Sequence, residues 1–151
     1  MVKAKATVKT VVPRKQPNVV DSSAWLEYLT GGEQATRFAA AIEDSNQLVV
    51  PAIVLYEVFK KVLRERGEHQ ALQVAGAMHA GRVVPVDAAL ALDAARYSLP
   101  LADSLIYATA QRLGAILWTQ DDDFKGLPGV RYFAKSAIKA TRKLRNATSE
   151  G

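Results

Sequence analysis

Short apolar runs alternate with longer amphipathic segments along most of the chain. The short runs are rich in Val, Ile and Leu and are bounded by polar residues, Pro or Gly, a pattern that predicts buried strands. The longer segments repeat apolar residues every three or four positions, which predicts helices. The predicted strands cover residues 18–20, 47–51, 82–86, 115–119 and 130–133. The predicted helices cover residues 24–29, 33–44, 52–66, 68–80, 88–97 and 101–113.

Breaking and capping residues support these boundaries. Pro51 stops the second strand, and Gly67 and Gly81 end two of the helices. Ser22 or Ser23 can cap the first helix. Because strands and helices alternate, the pattern predicts an α/β fold in which helices flank a mainly parallel sheet. The sequence contains no internal repeat and no low-complexity tract.

Length and composition are those of one globular domain. The 151 residues suffice for a sizeable core, and 49% of them are hydrophobic. The absence of cysteine excludes disulfides and thiolate metal sites and is compatible with a reducing cytosol. No apolar run approaches the roughly 20 residues of a membrane helix, and the N-terminus lacks the continuous apolar segment of a signal peptide. We therefore expect a cytoplasmic protein that does not bind a membrane.

The net charge of +5 is unevenly distributed. Residues 1–20 carry five Lys or Arg and no acid, so their charge is +5. Residues 131–151 carry six Lys or Arg and one acid, again +5, whereas residues 21–130 carry nine basic and fourteen acidic residues, or −5. Cationic arms on an acidic body suit a polyanion such as nucleic acid, although charged termini can also be merely solvated.

Acidic residues fall at one predicted edge of the sheet. Asp21 directly follows the first strand, and the run 121–123 follows the fourth. Asp103 lies in the first turn of a helix that starts at the same edge, and Glu57 lies in the second turn of the helix that leaves the second strand. Ligands of parallel sheets bind beyond the carboxyl ends of the strands. Topology alone therefore predicts that these acids converge.

Carboxylates placed so close together repel one another, and a divalent cation removes the conflict. Oxygen ligands without Cys or a suitably placed His favour Mg²⁺ or Mn²⁺, whose chemistry is phosphoryl transfer or phosphodiester hydrolysis. Each acid also has a simpler explanation. Asp21 can cap a helix, and Asp103 suits a helix N-terminus. Glu57 can pair with Lys61 on a solvated helix face, and Asp122 can be a solvent-facing turn residue.

Four segments carry a resemblance to a known family. These are "VVDSSAWLEYL", "PAIVLYEVFKKV", "LPLADSLIYATAQRLGA" and "LWTQDDDFKGLPGV", in that order. Over about residues 18–134 the chain resembles a PIN domain, and more closely the VapC-type toxin ribonucleases of toxin–antitoxin pairs. The resemblance implies a three-layer sandwich whose central sheet has four to five short strands. It leaves residues 1–17 as a flexible basic extension and residues 135–151 as a basic tail.

The resemblance also implies an activity, a metal-dependent endoribonuclease that hydrolyses RNA, with tRNA or rRNA as expected substrates. By motif matching, Asp21, Glu57, Asp103 and Asp121 correspond to the acidic quartet, in which Glu57 orients or deprotonates the attacking water. The expected ligands of Mg²⁺ or Mn²⁺ are Asp21, Asp103, Asp121 and Asp123, while Asp122 points away.

Other residues are expected to support this site. Ser22 and Thr119 match the small polar residues that accompany the acids. The expected contacts to the RNA backbone are Lys15, Lys60, Lys61 and Arg64.

The resemblance implies a VapB-type antitoxin as partner and a homodimer as the assembly. Two other interpretations stay open. A PIN-like module could bind RNA or protein without cutting, although the acidic set is complete. A receiver domain or a haloacid-dehalogenase-type phosphatase would need a lysine at a strand end, and none is so placed.

Overall fold

The computed structural model of the protein describes residues 15–135. Its centre is a sheet of five strands, all parallel, in the order β3-β2-β1-β4-β5. The strands are β1 (Asn18–Val20), β2 (Leu48–Pro51), β3 (Arg82–Val84), β4 (Ile116–Thr119) and β5 (Val130–Tyr132). The helices of the described part are α1 (Ser22–Leu29), α2 (Ala35–Ile42), α3 (Ala52–Arg66), α4 (Glu68–Met78), α5 (Ala88–Ala94) and α6 (Leu101–Leu113). The predicted α/β fold with a parallel sheet is therefore confirmed.

The central strands are covered on both faces. Val19 and Val20 of β1 are both fully buried. Consecutive strand residues point to opposite faces, so side chains of the core lie on each side of the sheet. This double burial explains why these strands are continuous apolar runs rather than alternating patterns.

The middle strands bring the acidic segments together. β1 pairs with β4, and the register sets Val20 beside Trp118. Asp21 follows β1, and its backbone N–H donates to the Trp118 carbonyl at 3.1 Å. The chain therefore leaves both strands at the same edge of the sheet, as the sequence pattern predicts.

Several elements are shorter than predicted. The helix predicted at 33–44 begins at Ala35 because the Glu27 carboxylate accepts the Gln34 backbone N–H at 2.9 Å, which holds the preceding turn. The strand predicted at 82–86 ends at Val84, where its pairing with β2 ends. The helix predicted to reach residue 97 ends at Ala94.

The first helix begins differently from the prediction. Its cap is Asp21, whose side chain accepts the Ala24 backbone N–H at 2.9 Å. This confirms the capping role considered for Asp21 and shows that a cap at Ser22 or Ser23 is wrong. The predicted basic extension and tail, 1–17 and 135–151, lie almost wholly outside the described residues. Within residues 15–135, no helix is long and apolar enough to cross a membrane.

Candidate active site

Three of the predicted acids meet at the carboxyl edge of the sheet. Asp103, Asp121 and Asp123 each offer a carboxylate oxygen, and these oxygens lie within 4.8 Å of one another. Asp103 comes from the first turn of α6. Asp121 and Asp123 come from the chain that leaves β4, where Asp121 caps a short 3-10 turn (Asp122–Phe124) by accepting the Asp123 backbone N–H at 2.9 Å. We name these three residues the acid cluster.

Asp21 lies beside the acid cluster in a hydrogen-bond network of its own. It is buried, and its Oδ1 accepts from the Ser23 hydroxyl at 2.9 Å as well as from the Ala24 N–H. Its Oδ2 accepts from the Thr119 hydroxyl at 2.6 Å. Among the described residues, the group of oxygens within 4.8 Å does not include Asp21. Its carboxylate is therefore fixed in position by donors on α1 and β4.

Thr119 connects Asp21 to the acid cluster. Its hydroxyl donates to Asp21 and accepts the backbone N–H of Asp121 at 2.9 Å. Thr119 is fully buried, so its bond to Asp21 is shielded from water, while its bond with Asp121 is partly buried. One hydroxyl therefore sets the position of two acids that are remote in sequence.

The crowding of these acids changes their protonation. Burial, the charge of Asp121, a hydrogen bond with Asp123 and the charges of Asp123 and Asp21 together raise the pKa of Asp103 to about 7, and burial contributes most. Burial likewise raises the pKa of Asp21 to about 6, although its bonds from Thr119, Ala24 and Ser23 oppose the shift. The pocket thus holds more negative charge than it can stabilise by itself.

The donor set fits Mg²⁺ or Mn²⁺. The acid cluster offers carboxylate oxygens, the ligands that hard divalent cations prefer, and it contains no nitrogen or sulfur ligand. A cation would also remove the repulsion that raises the pKa of Asp103. Asp103, Asp121 and Asp123 are therefore the residues suited to hold a divalent cation.

Glu57 lies on α3, outside the acid cluster. Its Oε1 accepts a hydrogen bond from the Ser22 hydroxyl at 2.5 Å, and Ser22 directly follows Asp21. The pairing of Glu57 with Lys61 considered from the sequence is wrong, because Lys61 Nζ lies 2.7 Å from Glu65 Oε1 one turn further along the helix. Glu57 is partly buried rather than solvated. The side chain that binds Glu57 is therefore the Ser22 hydroxyl rather than the Lys61 ammonium group.

Asp122 lies on the outside of the 3-10 turn. It is exposed and accepts a hydrogen bond from the Tyr132 hydroxyl on β5. Asp122 is therefore not part of the acid cluster, although both of its neighbours in sequence are. Spacing along the chain does not single out Tyr132, because its pairing with Asp122 depends on β5 lying beside β4. The sequence pattern indicates Ser23 only as a possible helix cap. Its position two residues after Asp21 nevertheless allows its hydroxyl to donate to the Asp21 carboxylate.

The predicted RNA-contacting residues fall into two groups. Lys60, Lys61 and Arg64 line a groove on α3 that also contains Glu57. Lys15 instead precedes β1, at the opposite edge of the sheet from the acids, and its Nζ lies 3.8 Å from Asp44 Oδ2. The structure thus brings the α3 cations near the acidic edge but does not bring Lys15 there.

The family follows from a comparison of the sequence with family models. The model described as the PIN domain matches residues 19–130, well over half of the chain. This chain belongs to the PIN domain family. The matched range includes Asp21, Glu57, Asp103 and all of the run 121–123. A comparison with curated proteins gave no match.

Solved structures share the fold of this PIN domain. It is similar to a toxin–antitoxin complex from Klebsiella pneumoniae, with a TM-score of 0.65, 24% identity and coverage of 76% of this chain and 95% of that one. VapC20 of Mycobacterium tuberculosis, a sarcin–ricin-loop-cleaving toxin, gives a TM-score of 0.62 and 23% identity over 75% and 96% of the two chains. The DNA-bound VapBC of Salmonella typhimurium gives 0.61 and 16% identity over 80% and 98%. The arrangement of strands and helices in this PIN domain is therefore that of VapC toxins.

Proposed function

We propose that this PIN domain is the toxin of a VapBC-type toxin–antitoxin pair and acts as a metal-dependent endoribonuclease. The observation that supports this most strongly is the convergence of Asp103, Asp121 and Asp123 within 4.8 Å, with Asp21 beside them. A site for binding alone has no need to collect this much uncompensated negative charge. A site that holds a divalent cation next to an RNA phosphate needs that negative charge to bind the cation.

The reaction is hydrolysis of an RNA phosphodiester. Mg²⁺ or Mn²⁺, when bound, supplies charge to stabilise the phosphate in the transition state and lowers the pKa of a coordinated water molecule. Asp103, Asp121 and Asp123 hold that charge in place, and Asp21 adds to the negative potential of the pocket. Because the pKa of Asp103 is about 7 without a cation, this side chain would give up a proton near neutral pH on holding one.

Glu57 acts on the attacking water. Its bond to Ser22 fixes one oxygen of the carboxylate and leaves the other to accept a proton or to orient the water. Thr119 and Ser23 hold Asp21, so the site is organised before substrate arrives. In this mechanism Ser22, Ser23 and Thr119 are positioning residues that do not touch the reacting atoms.

The proposed substrate is structured cellular RNA, tRNA or rRNA, met in the cytoplasm. The similarity to VapC20, which cleaves the sarcin–ricin loop, supports this substrate class. The similarity to toxin–antitoxin complexes supports a VapB-type antitoxin as the partner. A homodimer is the proposed assembly of the toxin itself.

Cleavage of a mixed pool of tRNA and rRNA tests the proposal. The protein, free of antitoxin, is incubated with the pool and Mg²⁺ or Mn²⁺, beside an EDTA control and the Asp103→Asn variant. We expect discrete fragments that disappear in both controls, and sequencing of the fragment ends then identifies the target. If folded protein binds RNA and yields no fragments with either metal, the nuclease proposal is refuted in favour of a binding module.

A further inference from the structure

A groove of about 340 Å³ opens between α1 and α3. Ser22 and Leu26 of α1 form one wall, and five residues of α3 form the other: Tyr56, Glu57, Lys60, Lys61 and Arg64. The groove begins at the hydrogen bond between Ser22 and Glu57. Because Ser22 directly follows Asp21, this end of the groove adjoins the acidic edge of the sheet.

Cations line the groove away from that edge. Lys60, Lys61 and Arg64 follow Glu57 by three, four and seven positions along α3 and line the groove with it. At about 1.5 Å per residue, Arg64 lies roughly 10 Å beyond Glu57 along the helix axis. Lys61 is paired with Glu65. Lys60 and Arg64 have no ion pair within residues 15–135, so their charges are available to an anion.

An exposed aromatic ring stands among these cations. Tyr56 lines the groove and is 56% exposed, whereas the aromatic side chains of the core are buried. Lys60 Nζ lies 5.4 Å from the centre of the ring and donates to the phenol oxygen at 3.2 Å. Across the groove, Leu26 offers an apolar surface. A ring, an apolar wall and spaced cations together suit a ligand that has both flat bases and phosphates.

We propose that this groove binds a single-stranded segment of RNA on one side of the scissile phosphate. Lys60 and Arg64 bind successive backbone phosphates, and one unstacked base packs on Tyr56. The inference rests on the proposed function, since it names how the same site receives its substrate. A base reaches Tyr56 only when it is out of a helix, so the groove selects loops, bulges or ends over duplex.

The charge order of the groove favours RNA over an acidic protein segment. An acidic peptide on the cations would bring carboxylates to Glu57 and the acid cluster, where the proposed hydrolysis has no use for them. RNA places a phosphate at that point, where the proposed chemistry requires one.

Binding in EDTA separates this inference from the nuclease proposal, because it does not depend on cleavage. The probe is a fluorescein-labelled single-stranded RNA of about 12 nucleotides, followed by anisotropy across a range of salt concentrations. We expect Arg64→Ala to weaken binding about fivefold or more and to reduce the slope of log affinity against log salt by about 0.7. Arg66→Ala is the matched control, since it removes the same charge from the same helix outside the groove lining. We expect it to change affinity less than twofold.

Tyr56 provides the second test. Tyr56→Ala should weaken binding of the single strand about fivefold or more, whereas Tyr56→Phe keeps the ring and should stay within twofold of the parent. Neither variant should affect a duplex of the same sequence. Equal effects of Arg64→Ala and Arg66→Ala, or equal binding by Tyr56→Ala and Tyr56→Phe, would overturn the inference even if the protein cleaves RNA. Loss of binding to a Glu-rich peptide but not to RNA in Arg64→Ala would assign the groove to a protein partner and overturn it as well.

Discussion

The hydroxyl of Thr119 on β4 donates to Asp21 Oδ2 at 2.6 Å, across the pair of central strands that carry the acids. The same oxygen accepts the Asp121 backbone N–H at 2.9 Å. Asp21 and Asp121 are separated by about a hundred residues in sequence, yet one buried hydroxyl sets their relative position. The bond also opposes the rise in the pKa of Asp21 that burial causes. The geometry of the acidic pocket therefore depends on a residue that holds no metal itself.

Thr119→Val should damage the site more than its small change in shape suggests. Valine fills the same volume but removes the short hydrogen bond to Asp21 Oδ2 and leaves that buried oxygen only the longer contact from the Ser23 hydroxyl at 3.1 Å. Loss of a charge-assisted hydrogen bond costs about 1.5–3 kcal/mol. We expect lower stability in chemical denaturation and about a tenfold loss of metal-dependent cleavage. Thr119→Ser is the matched control, because it keeps the hydroxyl. Comparable activity in the Val and Ser variants would show that the hydroxyl does not position Asp21.

Substitution of Asp123 should affect metal binding and cleavage more than the same substitution of its neighbour Asp122. Asp123→Asn removes a charge from the acid cluster, so we expect weaker binding of Mn²⁺ and lower cleavage, by about tenfold. Asp122→Asn removes the same charge from the adjacent residue, keeps an oxygen for Tyr132 and should change both by less than about twofold. Titration with Mn²⁺, followed by calorimetry, measures the difference directly. If Asp122→Asn proves the more damaging, the assignment of the cluster is wrong.

Much of this arrangement follows from the sequence, and the residues that do not follow share a cause. Each of the strands predicted at 18–20 and 115–119 is followed within two residues by an acid. Because parallel strands end at the same edge of a sheet, this pattern predicts that the acids lie together at that edge. The pairing of Glu57 with Lys61 is wrong because a helical wheel shows only that Lys61 lies one turn away on the same helix. It does not show that Ser22 of α1 lies within hydrogen-bond distance of Glu57. Tyr132 was missed for the same reason. Local spacing predicts which residues share an element, whereas partners on different elements depend on packing.

Glu57→Gln should separate chemistry from binding. Glutamine keeps an oxygen that accepts from Ser22, so the side chain stays in place while its charge and basicity are lost. We expect cleavage to fall about a hundredfold, as for loss of a general base, and RNA binding in EDTA to be equal or tighter. Glu65→Gln is the control on the same helix, where only the exposed pair with Lys61 is lost. A Glu57→Gln protein that cleaves at the parental rate would remove Glu57 from the mechanism.

The metal-free protein should lose stability as pH rises through the range of these carboxyls. Asp21 and Asp103 have pKa values of about 6 and about 7 when folded, both above the ordinary value of 3.8. The folded state therefore binds more protons than the unfolded state between about pH 4 and pH 7, so the free energy of unfolding falls with rising pH over that window. For the buried Asp21 alone, a shift of about two pH units corresponds to about 3 kcal/mol.

Chemical denaturation in EDTA at about pH 5 and about pH 8 measures this loss. Asp103→Asn should lose less stability over the same interval, because it removes one titrating carboxyl and a negative neighbour of the others. Saturating Mn²⁺ should restore much of the parent's stability at the higher pH and little of the variant's, since the cation offsets the charge that the variant lacks. A parent and variant with the same pH dependence, and no effect of Mn²⁺ on either, would mean that these acids neither repel one another nor bind the cation.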